Sequence, residues 1–229
     1  MSGAARRRLY LMRHGEVAYF DADGKPLPED DVGLTEEGRA QAEAAAALLA
    51  LIRIDRVITS GLRRTVETAS LVVPGVEAEA WPELRELRGA KLSTIPEDEL
   101  EEEFVHAFRG VVALERRFLG GETIGQLFDR VLPAVERLLA DESWDTALAV
   151  LHGGVNRAII SWALTGERIY LGPIEQAAGG VNVLDLSNDG WIVRAVNHSP
   201  LDPAHTDTRL TVMERYWQQY QRGQTPEGV

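Results

Sequence analysis

The 229-residue sequence has no cysteine, which excludes disulfides, thiolate nucleophiles and cysteine-ligated metal sites together. It has no apolar run near the roughly 18 residues of a membrane span. Positive charge is scarce: 24 Lys and Arg stand against 36 Asp and Glu, a formal net charge of −12. Such a surface argues against nonspecific binding to nucleic acid or anionic membrane, so an anionic ligand needs a local basic pocket. No repeat, low-complexity segment or long polar linker divides the chain, so residues 1–229 are expected to form one domain. The missing cysteines fit a cytoplasmic location. Arg6, Arg7 and Arg8 precede only four apolar residues, too few for a signal-peptide core.

What the chain does have is two buried strands that end oddly. Leu9-Tyr10-Leu11-Met12 reads as a core strand of a parallel sheet, and it stops at Arg13-His14-Gly15. Ala147 to Leu151 is a second such strand and stops at His152-Gly153-Gly154. A third junction follows Val57-Ile58-Thr59 at Ser60-Gly61-Leu62-Arg63-Arg64-Thr65. One Arg-His pair at a loop start is an ordinary surface feature. Three unusual junctions on one edge of a parallel core are a ligand site, because such sheets bind ligands past their strand carboxyl ends. Arginines there receive oxyanions, and a neutral imidazole can attack phosphorus.

Around these strands the pattern is β-α-β-α, then a long intervening stretch, then β-α and a hairpin. This predicts a three-layer α/β/α fold with a mostly parallel central sheet. Thr35 should cap a helix opening at Glu36-Glu37, and Thr123 a helix with Pro133 inside it, where a kink or restart is expected. Residues 82–121 read as a mostly helical insertion, a candidate lid, with an acidic helix from Pro96 carrying Phe104, Val105 and Phe108. Val181–Leu186 and Trp191–Val196 read as strands joined by Asn188-Asp189-Gly190, with an edge that could pair a homodimer. A terminal helix is expected over 207–221. Asp21-Ala22-Asp23-Gly24 lacks the spacing of a calcium loop.

The ordered motifs resemble those of the histidine phosphatase superfamily, the phosphoglycerate mutase-like proteins. They are Arg13-His14-Gly15-Glu16, Leu34-Thr35-Glu36-Glu37-Gly38, Ser60 to Thr65 running into Glu67-Thr68-Ala69, Leu84-Arg85-Glu86, Gly121-Glu122-Thr123 and His152-Gly153-Gly154-Val155. The resemblance implies that His14 is the nucleophile and forms a phosphohistidine. It implies that Arg13, Arg64, His152 and Gly153 hold the phosphoryl group, with Arg64 preferred to Arg63 from its distance to Ser60. Glu86 is implied as general acid and then base, with Glu83 the competing carboxylate. Glu16 and Asn156, with Arg157 beside it, are candidate substrate contacts. His106, His198 and His205 match no motif, and Arg116-Arg117 read as a solvated helix face.

Phosphoryl transfer needs charge neutralisation and in-line positioning, which two arginines and two imidazoles can supply, so no metal or cofactor is implied. The family contains hydrolases and mutases. The mutases usually follow Arg-His-Gly-Glu with a small hydroxyl residue and a Trp-Asn pair, where this chain has Val17-Ala18-Tyr19-Phe20. The expectation is therefore hydrolysis of a small-molecule phosphomonoester, with a mutase-type transferase or a catalytically silent phosphate-binding regulator as the alternatives.

Overall fold

The computed structural model describes residues 6–21, 25, 27–187, 190–206 and 209–224. In chain order its elements are β1 (Arg7–Arg13), α1 (Glu36–Leu49), β2 (Arg56–Thr59), α2 (Arg63–Val72) and β3 (Glu79–Ala80). Then come α3 (Leu100–Val105), β4 (Val111–Val112), α4 (Ile124–Ala140), β5 (Thr146–Leu151) and α5 (Gly153–Thr165). The chain closes with β6 (Tyr170–Leu171), β7 (Val181–Ser187), β8 (Gly190–His198) and α6 (Val212–Gln224).

Six strands form one sheet in the order β3-β2-β5-β1-β7-β8. The first four are mutually parallel, and β7 runs antiparallel to β1 and to β8. Strand side chains alternate between faces, so each core strand feeds two cores. Leu9 and Leu11 of β1, with Ala147, Ala149 and Leu151 of β5, pack against Leu127, Val131 and Val135 of α4 and Val155 and Ile159 of α5. Tyr10, Met12, Leu148 and Val150 face the other way, onto Ala42 and Ala45 of α1 and Ala69 and Val72 of α2. The three layers follow from that alternation.

Register sets the site. Arg13 lies opposite Leu151, and Thr59 opposite Val150, so β1 and β5 end level and β2 ends one residue earlier on the same edge. His14, Ser60 and His152 are the next residues on each.

Two expectations need correction. The stretch 82–121 is mostly irregular: its regular elements are two single-turn helices (Pro82–Leu84, Leu92–Thr94), the six-residue α3 and the two-residue β4. Prolines at 82 and 96 and glycines at 89, 110, 120 and 121 interrupt it, and Gly110 and Gly120 adopt positive φ. The acidic helix opens at Leu100, after a turn from Pro96. At Pro133, where a kink or restart is expected, there is no restart: α4 runs unbroken from Ile124 to Ala140. Pro133 is exposed, so the carbonyl it leaves without an N–H partner lies on the wet face of α4. Asn188 and Asp189 of the expected turn, Asp207 of the terminal helix, and Ala22, Asp23 and Gly24 lie outside the described residues.

Candidate active site

The backbone of His14 is fixed from both sides: its N–H donates to Leu151 O at 3.0 Å, and its carbonyl accepts from Gly179 N at 3.1 Å. The next residue must be glycine. A Cβ on Gly15 would lie 2.3 Å from the Gly38 carbonyl oxygen, since the loop after β1 crosses the first turn of α1 at backbone contact. Thr68 of α2 accepts from Gly15 N at 3.1 Å, and Glu67 accepts from Leu34 N at 2.8 Å. Three sequence motifs are thereby tied together around one histidine.

His14 is 1% exposed, and its Nδ1 lies 2.7 Å from Gly15 O. A carbonyl only accepts, so Nδ1 carries the proton and Nε2 keeps the lone pair. Burial, reinforced by Arg13 and Arg64, holds the His14 pKa well below its ordinary 6.5. The ring is neutral at neutral pH. The His152 ring sits 5.2 Å from it, edge to face. Burial is also the first cause of a lowered pKa at His152, followed by Arg64 and His14. Its Nε2 is 2.8 Å from Ser60 Oγ, so a Ser60 hydroxyl donating there leaves the proton on Nδ1.

The two arginines are half committed. Arg13 donates from Nη1 to Gln176 O (2.6 Å) and from Nη2 to the Tyr216 hydroxyl (2.7 Å). Arg64 donates from Nη1 to Glu29 O (2.6 Å), with its guanidinium 5.7 Å from the Tyr19 ring. Arg13 Nε, Arg64 Nε and Nη2, and His152 Nδ1 are buried without a partner among the described residues. Unpaired buried donors each cost about 1–3 kcal/mol, so their convergence marks a place for an oxyanion. Arg63, one residue away, is a half-exposed partner of Glu67 at 2.7 Å.

The two carboxylates separate clearly. Glu86 accepts from Gly154 N (3.1 Å) and Leu87 N (2.9 Å) and lines the chamber that opens beside Arg13. Gly154 makes room for it, because a Cβ there would lie 2.6 Å from Glu86 Oε1. Glu83 points outward to Arg137 at 3.1 Å. The Glu86 strap is gripped from behind by Arg130 of α4, which donates to the carbonyls of Glu83, Arg85 and Glu86 at 2.6–3.0 Å. Arg130 is itself paired with Glu122 at 2.7 Å, which accounts for a glutamate beside the Thr123 cap.

Two candidate contacts fall elsewhere. Glu16 turns to Thr35, whose hydroxyl lies 3.2 Å from its carboxylate, and does not line the chamber. Asn156 is fully buried behind the site against Gln176 at 3.2 Å, on the sheet side of α5. Its neighbour Arg157 does line the chamber. His106 pairs with Glu102 on α3, and His198 and His205 are exposed. Ser60, Arg130, Gln176 and Tyr216 were not foreseen as site residues. Arg130 carries one sequence signal, a cation eight residues after Glu122 on an otherwise apolar stripe. Tyr216 carries none. Among the described residues no three His, Cys, Asp or Glu side chains are placed to hold a metal ion, and no helix is long and apolar enough to cross a membrane.

A parallel-sheet edge carrying two neutral histidines and two half-free arginines defines an anion-binding α/β enzyme site. The chain belongs to the histidine phosphatase superfamily, branch 1, whose family model matches residues 9–199. An acid phosphatase of Mycobacterium tuberculosis is 35% identical over 167 residues, covering 69% of this chain and 76% of that protein. A probable 2-carboxy-D-arabinitol-1-phosphatase of Arabidopsis thaliana is 29% identical over 198 residues, covering 85% of this chain. This chain spans only 40% of that relative's length. The mycobacterial glucosyl-3-phosphoglycerate phosphatase solved with VO3 superposes with a TM-score of 0.66 at 26% identity, covering 83% of this chain and 98% of that one.

Proposed function

We propose that the protein hydrolyses a small-molecule phosphomonoester through a phosphohistidine on His14, without a metal ion. The observation that carries this reading is the His14 tautomer: a buried neutral imidazole with Nδ1–H tied to Gly15 O, beside guanidinium N–H groups that have no partner among the described residues. Arg13 Nε–H, Arg64 Nε–H and Nη2–H, and His152 Nδ1–H neutralise the phosphoryl oxygens. His14 Nε2 attacks phosphorus in line, the P–N bond forms, and the ester P–O bond breaks. Glu86 gives its proton to the leaving alkoxide. It then takes one from water, which attacks phosphorus from the vacated side, breaks the P–N bond and releases phosphate. The phosphatase names of the relatives support the hydrolytic outcome.

The test is phosphate release from a panel of phosphomonoesters in EDTA, by wild type and His14→Ala. Release by wild type alone is the expected result. Release by both proteins, or by neither, overturns the reading.

A further inference from the structure

The chamber beside the phosphoryl site has a volume of about 460 Å³, within the usual range for small-molecule sites. Arg13, Glu86 and Gly153 mark its polar end; His14, Arg64 and His152 are not on its wall but buried beyond that end. Most of the rest of the wall is apolar, much of it aromatic, with Glu29, Lys91, Ser93 and Arg157 as its polar members. Phe20 comes from the loop after β1, Leu92, Phe104 and Phe118 from the 82–121 stretch, and Met213 and Tyr216 from α6. α6, residues 212–224, lies beyond the family match, which ends at residue 199. Phe104 stacks with Tyr220 at 5.9 Å and packs on Trp217 at 5.7 Å, so α6 is locked onto the insertion as a fixed wall.

The charges in the chamber decide what it accepts. Arg157 is 5% exposed, and part of its guanidinium is committed: Nε donates to Gly172 O and Nη2 to Glu175, both at 3.2 Å, and its face lies 4.6 Å from the Phe108 ring. These bonds and the ring contact leave only part of it for a second anion. Lys91 and Glu29 are both exposed, and their charges are opposite in sign. A polyhydroxylated or carboxylated alcohol entering this space would lose water hydrogen bonds and find few replacements. A ring would gain apolar contact on several sides.

We propose that the substrate class is a phosphomonoester of an uncharged, ring-bearing apolar alcohol, the ring seated between the 82–121 stretch and α6. This rests on the hydrolase reading above. The test compares 2-phenylethyl phosphate with ethyl phosphate and glycerol 1-phosphate, all esters of primary alcohols, so that leaving-group chemistry is closely matched. The expected kcat/KM for the phenylethyl ester is about 100-fold above that for the glycerol ester, the scale set by burying several ring carbons. Leu92→Asp places a charge on a half-exposed part of the wall and is expected to cut that ratio about 10-fold, the scale of one unpaired polar group in an apolar pocket. The ratio does not depend on the fraction of protein folded. Equal turnover of all three esters, or preference for glycerol 1-phosphate, overturns this inference and leaves the hydrolase reading standing. A phenylethyl preference that Leu92→Asp does not change overturns the assignment of the chamber. No phosphate release from any ester overturns both readings.

Discussion

The sheet edge and the chamber beside it are built on opposite plans. At the edge, three strands in register present His14, Ser60 and His152 side by side, and each group is held by backbone or by a buried hydroxyl. The chamber is assembled from a loop, an irregular insertion and a helix from the far end of the chain, held by aromatic packing. The difference separates two demands. Phosphoryl transfer requires fixed geometry and charge, which strand register supplies cheaply. Recognition of the leaving group requires a surface that can change without moving the chemistry, and loops supply that. Arg130 joins the two regions, since it fixes the Glu86 strap between them from the core side.

Substitutions should sort by region. His14→Ala is expected to lower turnover by about 10⁴-fold or more on every ester, while phosphate binding measured by calorimetry persists through the arginines. Glu86→Gln should cost about 10³-fold with 2-phenylethyl phosphate and much less with 4-nitrophenyl phosphate, whose leaving group needs no proton. Equal losses on both esters would remove Glu86 from the acid role. Arg64→Lys gives up two unpartnered N–H groups in a planar fork and should cost about 10²-fold, equally on apolar and polar esters. A loss confined to one ester would place Arg64 in recognition instead. Arg130→Met should cost about 10-fold, with the same leaving-group dependence as Glu86→Gln, because it acts through Glu86.

The smallest effect is on stability. His14 and His152 have pKa values held below 6.5 in the fold by burial and by the arginines, while the unfolded chain protonates normally. Below pH 6.5 the unfolded state therefore binds more protons, and stability falls as pH falls; above it, the contribution is fully present. Each histidine should remove roughly 1.4 kcal/mol in total between pH 7.5 and 5.5. Thermal melts between pH 7.5 and 5.5 should show a shallower decline for His14→Ala than for wild type. Identical slopes would mean that His14 is not held neutral.

The chemistry of the edge was legible because each part is a short motif at a strand end, and the strands themselves show as apolar runs. Glycines carried as much information as histidines: Gly15 and Gly154 stand where a Cβ would strike Gly38 O and Glu86. The chamber was not legible. Tyr216 reaches Arg13 from some 200 positions away, and only tertiary packing brings it there. The Glu-rich segment of 82–121 predicts helix, but the prolines and glycines of this stretch break it into short elements of six residues or fewer. Asn156 and Arg157 are adjacent in sequence, and only the rotation of α5 decides that Arg157 meets the chamber.

The steric course at phosphorus tests the phosphohistidine most directly. With a substrate whose phosphoryl group is made chiral by isotopic labelling, two successive in-line displacements, first by His14 and then by water, give net retention of configuration, and that is the result expected here. Net inversion would mean that water attacks the ester in a single step, and His14 could not then be the nucleophile.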